Sequence, residues 1–158
     1  MTSKFKEIYA EAIEKSQGHD KQVAIYRIGN MLFLIPLEDI IDVQDSVKIR
    51  TVPGAAEFFK GFFLYSGKPI MLIDTPCILS LPGDEAHTAM IVKTLGNDAY
   101  ALLINDIAQV APYNDSWAQS PPAEVEKIKA EYIEKVFRIN QNILYQLKIN
   151  KLFNRNHI

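Results

Sequence analysis

Apolar residues follow two different periods along the chain. From Ser3 to Lys15 they recur as Phe5, Ile8, Tyr9, Ala12 and Ile13, the i, i+3, i+4, i+7, i+8 spacing of one helical face. Ser3 stands where a side-chain oxygen can cap the first free N–H groups, and Gly18 stands where a helix can end. The pattern therefore predicts an amphipathic helix within residues 1–20 that packs on the body, with one further domain over residues 21–158.

From Val23 the period becomes that of strands. VAIYRIGNMLFLIPLEDIIDV holds two apolar runs joined at Gly29-Asn30, residues that tolerate the positive φ of a tight hairpin turn. The same design returns 67 residues later as MIVKTLGNDAYALLINDIAQV, Met90 to Val110. Gly29 falls on Gly96, Asn30 on Asn97, Asp39 on Asp106, Ile40 on Ile107 and Val43 on Val110. Identities are few, but turn residues fall on turn residues and the apolar pattern holds on both sides, which indicates an internal duplication.

A second echo runs from Phe58–Asp74, FFKGFFLYSGKPIMLID, to Tyr132–Lys148, YIEKVFRINQNILYQLK, at an offset of 74. In each, an apolar strand meets a polar turn, Ser66-Gly67 or Asn140-Gln141, and a second apolar strand follows. Four hairpins in the order A, B, A′, B′ predict a mainly β fold of two small antiparallel barrels. Ser80–His87 and Pro112–Glu124 are rich in turn formers and read as loops. Ala123–Val136 is read as a short helix before the last hairpin, with Pro122 suited to its first position.

Composition narrows the function. A hydrophobic fraction of 48% with 23% charged residues belongs to an ordinary globular chain, and the longest apolar run, Met31–Pro36, is far too short to span a membrane. The first residues lack the apolar segment of an export signal, and the one cysteine, Cys77, has no partner for an internal disulfide, so a cytoplasmic location is expected. A net charge of −2, with no basic block, argues against a nucleic-acid surface.

The stretch GFFLYSGKP, Gly61–Pro69, sets a glycine and a lysine where a phosphate-binding loop would want them. Five residues rather than four separate the glycines, and Pro69 follows Lys68 where that loop needs a metal-binding hydroxyl. It reads instead as strand, turn and strand, with Lys68 solvated at the turn. His19, His87 and His157 have no ligand partners at metal spacing, and Cys77 has no nearby histidine to activate it. Among Glu38, Asp39, Asp42 and Asp45, the recurrence of Asp39 at Asp106 favours a structural role over acid-base work. No catalytic constellation emerges, and no enzyme activity, cofactor or metal is expected.

With the strands laid out, the stretches LFLIPLEDIIDVQD, VPGAAEFFKGFFLYSGKPIMLID and YALLINDIAQV resemble, in order and spacing, the elements of the CheW-like domain family. The resemblance runs from about Gln22 to Phe153, with Pro53, Gly61, Gly67, Ile73 and Asp74 on its signature positions. It implies two interlocked five-stranded, SH3-like barrels and a non-catalytic adaptor that couples membrane chemoreceptors to a CheA-type histidine kinase. The implied partners are the kinase's regulatory domain and the chemoreceptor's cytoplasmic tip. By position it assigns Val43 and Asp45 to a receptor-facing site, and Phe62, Phe63, Leu64, Ser66 and Lys68 to the strand and turn associated with kinase and receptor contacts.

The departure is at Ser66, where the family's N-L-R-G turn carries an arginine whose planar fork of donors serine cannot replace. Together with the added N-terminal helix, this points to a divergent adaptor of an alternative chemosensory pathway, such as one serving a type IV pilus and twitching motility. An alternative reading is a small barrel that binds single-stranded nucleic acid by stacking bases on Tyr26, Phe33 and Tyr100.

Overall fold

A computed structural model describes residues 7, 10, 11, 21–94, 96, 99–114, 117–120, 130–139 and 141–153. The expected N-terminal helix lies outside these but for residues 7, 10 and 11. The strands are β1 Gln22–Ile28, β2 Met31–Pro36, β3 Ile40–Gln44, β4 Phe59–Tyr65, β5 Lys68–Ile73, β6 Thr88–Val92, β7 Tyr100–Ile104, β8 Asp106–Pro112, β9 Ala118–Ser120, β10 Ile133–Ile139 and β11 Asn142–Leu147. Two short helices, α1 Thr75–Leu79 and α2 Ile149–Leu152, and two 3-10 turns, Leu37–Asp39 and Ala130–Tyr132, complete the described elements.

The tight turns form where the local chemistry demands them. Ile28 pairs with Met31, leaving Gly29-Asn30 as a two-residue loop in which Gly29 takes φ 61°. Tyr65 pairs with Lys68 around Ser66 at φ 50° and Gly67 at φ 78°. Positive φ at both central residues is the type I′ signature, whose twist matches that of the strands it joins.

The duplication holds element by element. Shifted by 67 residues, β1, β2 and β3 overlay β6, β7 and β8; shifted by 74, β4 and β5 coincide with β10 and β11 to the residue. Irregularities repeat as well. The bulge that skips Ile41 in β3 recurs at Ala108 in β8, and the one that skips Lys60 in β4 recurs at Glu134 in β10.

The halves exchange strands. One sheet runs β8-β1-β2-β11-β10-β9 and the other β3-β6-β7-β5-β4, so each takes its first hairpin from one half and its remaining principal strands from the other. The exchange is made by two parallel pairings at equivalent positions: Phe33 opposite Tyr145 on β2 and β11, and Tyr100 opposite Met71 on β7 and β5.

Interlocking explains why the inner strands bury both faces. Met90 and Val92 of β6 point into a central core shared by the sheets, where they meet Tyr26, Phe33, Leu102 and Tyr145. Ala89 and Ile91 point the other way, into a smaller core with Phe63, Ile70, Leu72 and Leu103. The other sheet encloses its own small core of Val23, Leu34, Phe137 and Leu144. Burying each large aliphatic side chain is worth about 1.5–3 kcal/mol, so the shared layer ties the two sheets together through a common core.

Barrel closure is not detected among the described residues: β3 and β4 are the edges of one sheet, β8 and β9 those of the other. In each, the chain leaving one edge strand turns back to touch the opposite side, as the Arg50–Phe62 bridge to β4 and as β9 on β10. The helix expected within Ala123–Val136, ahead of the hairpin that starts at Tyr132, falls mostly on residues 121–129, outside the described ones. Ala130–Tyr132 form a 3-10 turn and Ile133 opens β10, because Ile133 and Val136 are held in the shared core by pairing with β11.

Candidate interaction surface

The sequence-predicted site residues divide sharply by burial. Leu64 is 56% exposed on β4, and Ser66 and Lys68 are exposed at the adjoining turn. Asp45 is exposed in the bend that follows β3. Phe62 is half-buried. Val43 and Phe63 turn inward instead: Val43 opposes Met90 in the shared core, and Phe63 sits at 2% exposure in the small core. Both side chains are packed inside the fold.

β4 is an edge strand, and its outer side meets the chain at one described residue pair. Arg50 N–H donates to the Phe62 carbonyl at 2.8 Å, and Phe62 N–H donates to the Arg50 carbonyl at 2.9 Å. Gly61 permits that approach. At φ 141°, a Cβ placed on it would collide with the Arg50 carbonyl oxygen and lie 2.9 Å from Ile49 Cγ2.

Gly67, Ile73 and Asp74 of the signature are also structural. Gly67 takes the second left-handed position of the turn, Ile73 is fully buried, and Asp74 caps α1 by accepting from Cys77 N–H at 3.3 Å. Cys77 is half-buried on that helix.

Sequence reasoning missed the role of Asp42. The bulge at Ile41 leaves that side chain 39% exposed and turns Asp42 inward to 2% exposure. Its Oδ1 accepts from Val43 N–H at 2.8 Å; its Oδ2 accepts from Gln44 Nε2 and from the Tyr65 hydroxyl, both at 2.9 Å. The signal available beforehand was an acid inside the apolar run of β3, with a phenol at the end of β4.

The repeated aspartates have different surroundings. Asp106 makes an exposed ion pair with Arg27 at 2.9 Å. Asp39 lines an open cleft of about 260 Å³ with Leu34, Ile35, Lys93, Glu134 and Asn150. Burial, then the neighbouring Glu38 charge, push its carboxyl above the usual range, and Lys93 opposes them.

Other chemistries find little support. Among the described residues no His, Cys, Asp and Glu side chains group as metal ligands, and no helix is long and apolar enough to cross a membrane. Tyr26 and Phe33 are fully buried, and the half-buried Tyr100 stacks on Phe153 at 4.3 Å between ring centroids, so the base-stacking platform of the nucleic-acid reading is not at the surface.

Two interlocked sheets from a duplicated unit, with the β4 edge and the exposed β4–β5 hairpin at the surface, define the class of fold. The chain belongs to the CheW-like domain family, whose model matches residues 22–157. It is 28% identical over 141 residues to the chemotaxis protein CheW of Treponema pallidum (strain Nichols), covering 84% of this chain and 81% of that one. Its fold is similar to the crystal structure of the scaffolding protein TtCheW of Thermoanaerobacter tengcongensis, with a TM-score of 0.78 and 22% identity over 88% of this chain and 91% of that one. The family is one of non-catalytic scaffolding proteins, and this chain is a CheW-like scaffold of chemotaxis, not an enzyme.

Proposed function

We propose that the chain couples chemoreceptors to a CheA-type histidine kinase by holding both in one geometry. Leu64 carries the reading: a large apolar side chain, 56% exposed on a sheet edge, beside the exposed Ser66 and Lys68. An edge strand offers backbone groups to a partner's strand, and an apolar side chain beside them supplies buried area. The kinase partner is its regulatory domain, which docks on the β4–β5 hairpin. The chemoreceptor partner is a helical cytoplasmic tip, for which the cleft beside Asp39 and Lys93 supplies apolar walls and charges of both signs.

Ser66, at the turn where the resemblance to the family implies an arginine, favours an altered partner surface on this hairpin. On that ground we assign the chain to an alternative chemosensory pathway, of which a type IV pilus system is the leading case.

The test is co-elution of the purified chain with a CheA-type regulatory domain from the same organism, at tens of micromolar. Leu64→Asp should abolish co-elution and leave the fold intact. A wild-type chain that elutes separately from the domain overturns the reading.

A further inference from the structure

Tyr65 and Asp42 join opposite edges of one sheet. In the order β3-β6-β7-β5-β4, Asp42 lies on the first strand and Tyr65 on the last, with three strands between them, yet the phenol donates to the carboxylate at 2.9 Å. The sheet therefore curls until its edges approach, and among the described residues no strand pairing closes it at this end. Further along, the Arg50–Phe62 bridge makes the second cross-link. Asp42 is a rigid anchor, since Val43 N–H and the Gln44 amide also hold its carboxylate. Tyr65 is the last residue of β4, one position from both Leu64 and Ser66.

We infer that the Tyr65–Asp42 hydrogen bond is a latch that positions the hairpin tip for its partner, so that Leu64, Ser66 and Lys68 are presented in one pose relative to Asp45. The inference deepens the proposed docking of a kinase regulatory domain and rests on that reading. Without the latch, the turn keeps its pairing along β5 and the packing of the Tyr65 ring on the small core but loses its hydrogen bond to the opposite edge, and the Arg50–Phe62 bridge acts three residues back. A two-strand tip held on one side frays more readily than one pinned on both, and binding to a mobile tip carries the entropy of ordering it. Asp42 and Tyr65 are thus positioning residues. The hydroxyl reaches inward to a buried carboxylate, and the partner contacts are made by its neighbours.

Tyr65→Phe tests the latch, because it keeps the ring packed against the small core and removes only the hydroxyl. Two readouts are taken on the full chain: amide exchange at residues 64–68, and titration with the CheA-type regulatory domain. Exchange about ten-fold faster and binding about ten-fold weaker, the weight of one hydrogen bond, support the latch when exchange in β1, β2 and β6 is unchanged. In an Asp42→Ala background the Tyr65→Phe change should add nothing; if Asp42→Ala does not fold, Tyr65→Phe alone decides. Unchanged exchange at 64–68, or faster exchange with unchanged affinity, overturns the inference. If wild type does not bind the domain, the proposed function falls. The latch is then judged on exchange alone, where an unaltered rate overturns it.

Discussion

Arg50 and Phe62 exchange both backbone hydrogen bonds, at 2.8 and 2.9 Å, across a gap that a single methyl group on Gly61 would close. The obstruction is a backbone carbonyl, which cannot rotate away, and φ 141° is itself a region that side chains avoid. Gly61→Ala is accordingly expected to destabilise the fold by about 3 kcal/mol, read as a lower midpoint in urea. Gly54, with nothing near its Cβ position, makes a useful control. Its φ of 79° alone predicts a cost of about 1 kcal/mol for Gly54→Ala.

Tyr26 is buried in the shared core, stacked on Phe33 at 5.5 Å, and its hydroxyl finds no hydrogen-bond partner among the described residues. Tyr26→Phe keeps the stack and removes an unsatisfied group, so it should stabilise by about 1 kcal/mol and raise Tm by about 2–4 °C. A fall in Tm would mean that the hydroxyl is paired.

The same residue gives a pH signature. Burial pushes the Tyr26 phenol far above its usual value, so the folded chain keeps its proton after an unfolded chain has released it. Stability from this group is complete below the unfolded pKa of about 10 and is lost progressively as pH rises above it. Wild type should therefore lose stability between pH 9 and about 11 faster than Tyr26→Phe, measured by urea unfolding across that range.

Asp39 points the other way at neutral pH. Its carboxyl is raised by burial and by Glu38, so the protonated form is the better fit to the cleft. Its contribution to stability is present below the unfolded carboxyl range and lost as pH climbs through the raised value. Asp39→Asn should hence gain slightly at pH 7, by less than about 1 kcal/mol because solvent screens the site and the Lys93 attraction is lost. The gain should vanish near pH 3.5, about where the unfolded carboxyl protonates.

Ser66 is the hairpin residue least suited to its backbone, at φ 50° beside Gly67 at 78°. Asparagine is the preferred companion of glycine in such a turn, so Ser66→Asn should stabilise by about 0.5–1 kcal/mol. Phe63→Asp, by contrast, places a carboxylate in the small core and should prevent folding, seen as loss of the β signal in circular dichroism.

The site was only partly legible in the chain. Ser66 and Lys68 came out exposed because a turn-forming pair is a local signal, whereas Leu64 lies in the unbroken apolar run Phe62–Tyr65, whose faces the sequence does not apportion. Val43 and Phe63 came out buried because the inner strands pack on two cores at once, and alternation says nothing about which faces are covered. Asp42 was hidden by the bulge at Ile41, a one-residue slip that reverses which side chains point inward.

Period and turn chemistry alone determined the strands, their hairpins and the duplication, since each depends on residues a few positions apart. Even the matching bounds of β4–β5 and β10–β11 follow from the echo at 74 residues. Tertiary structure decided the rest: the exchange that sets Phe33 against Tyr145 and Tyr100 against Met71, the edge strands of each sheet, and the Tyr65–Asp42 contact between the edges of one sheet. Those pairings join strands that local pattern cannot tell apart, and they are chosen by burial of the layer both sheets share.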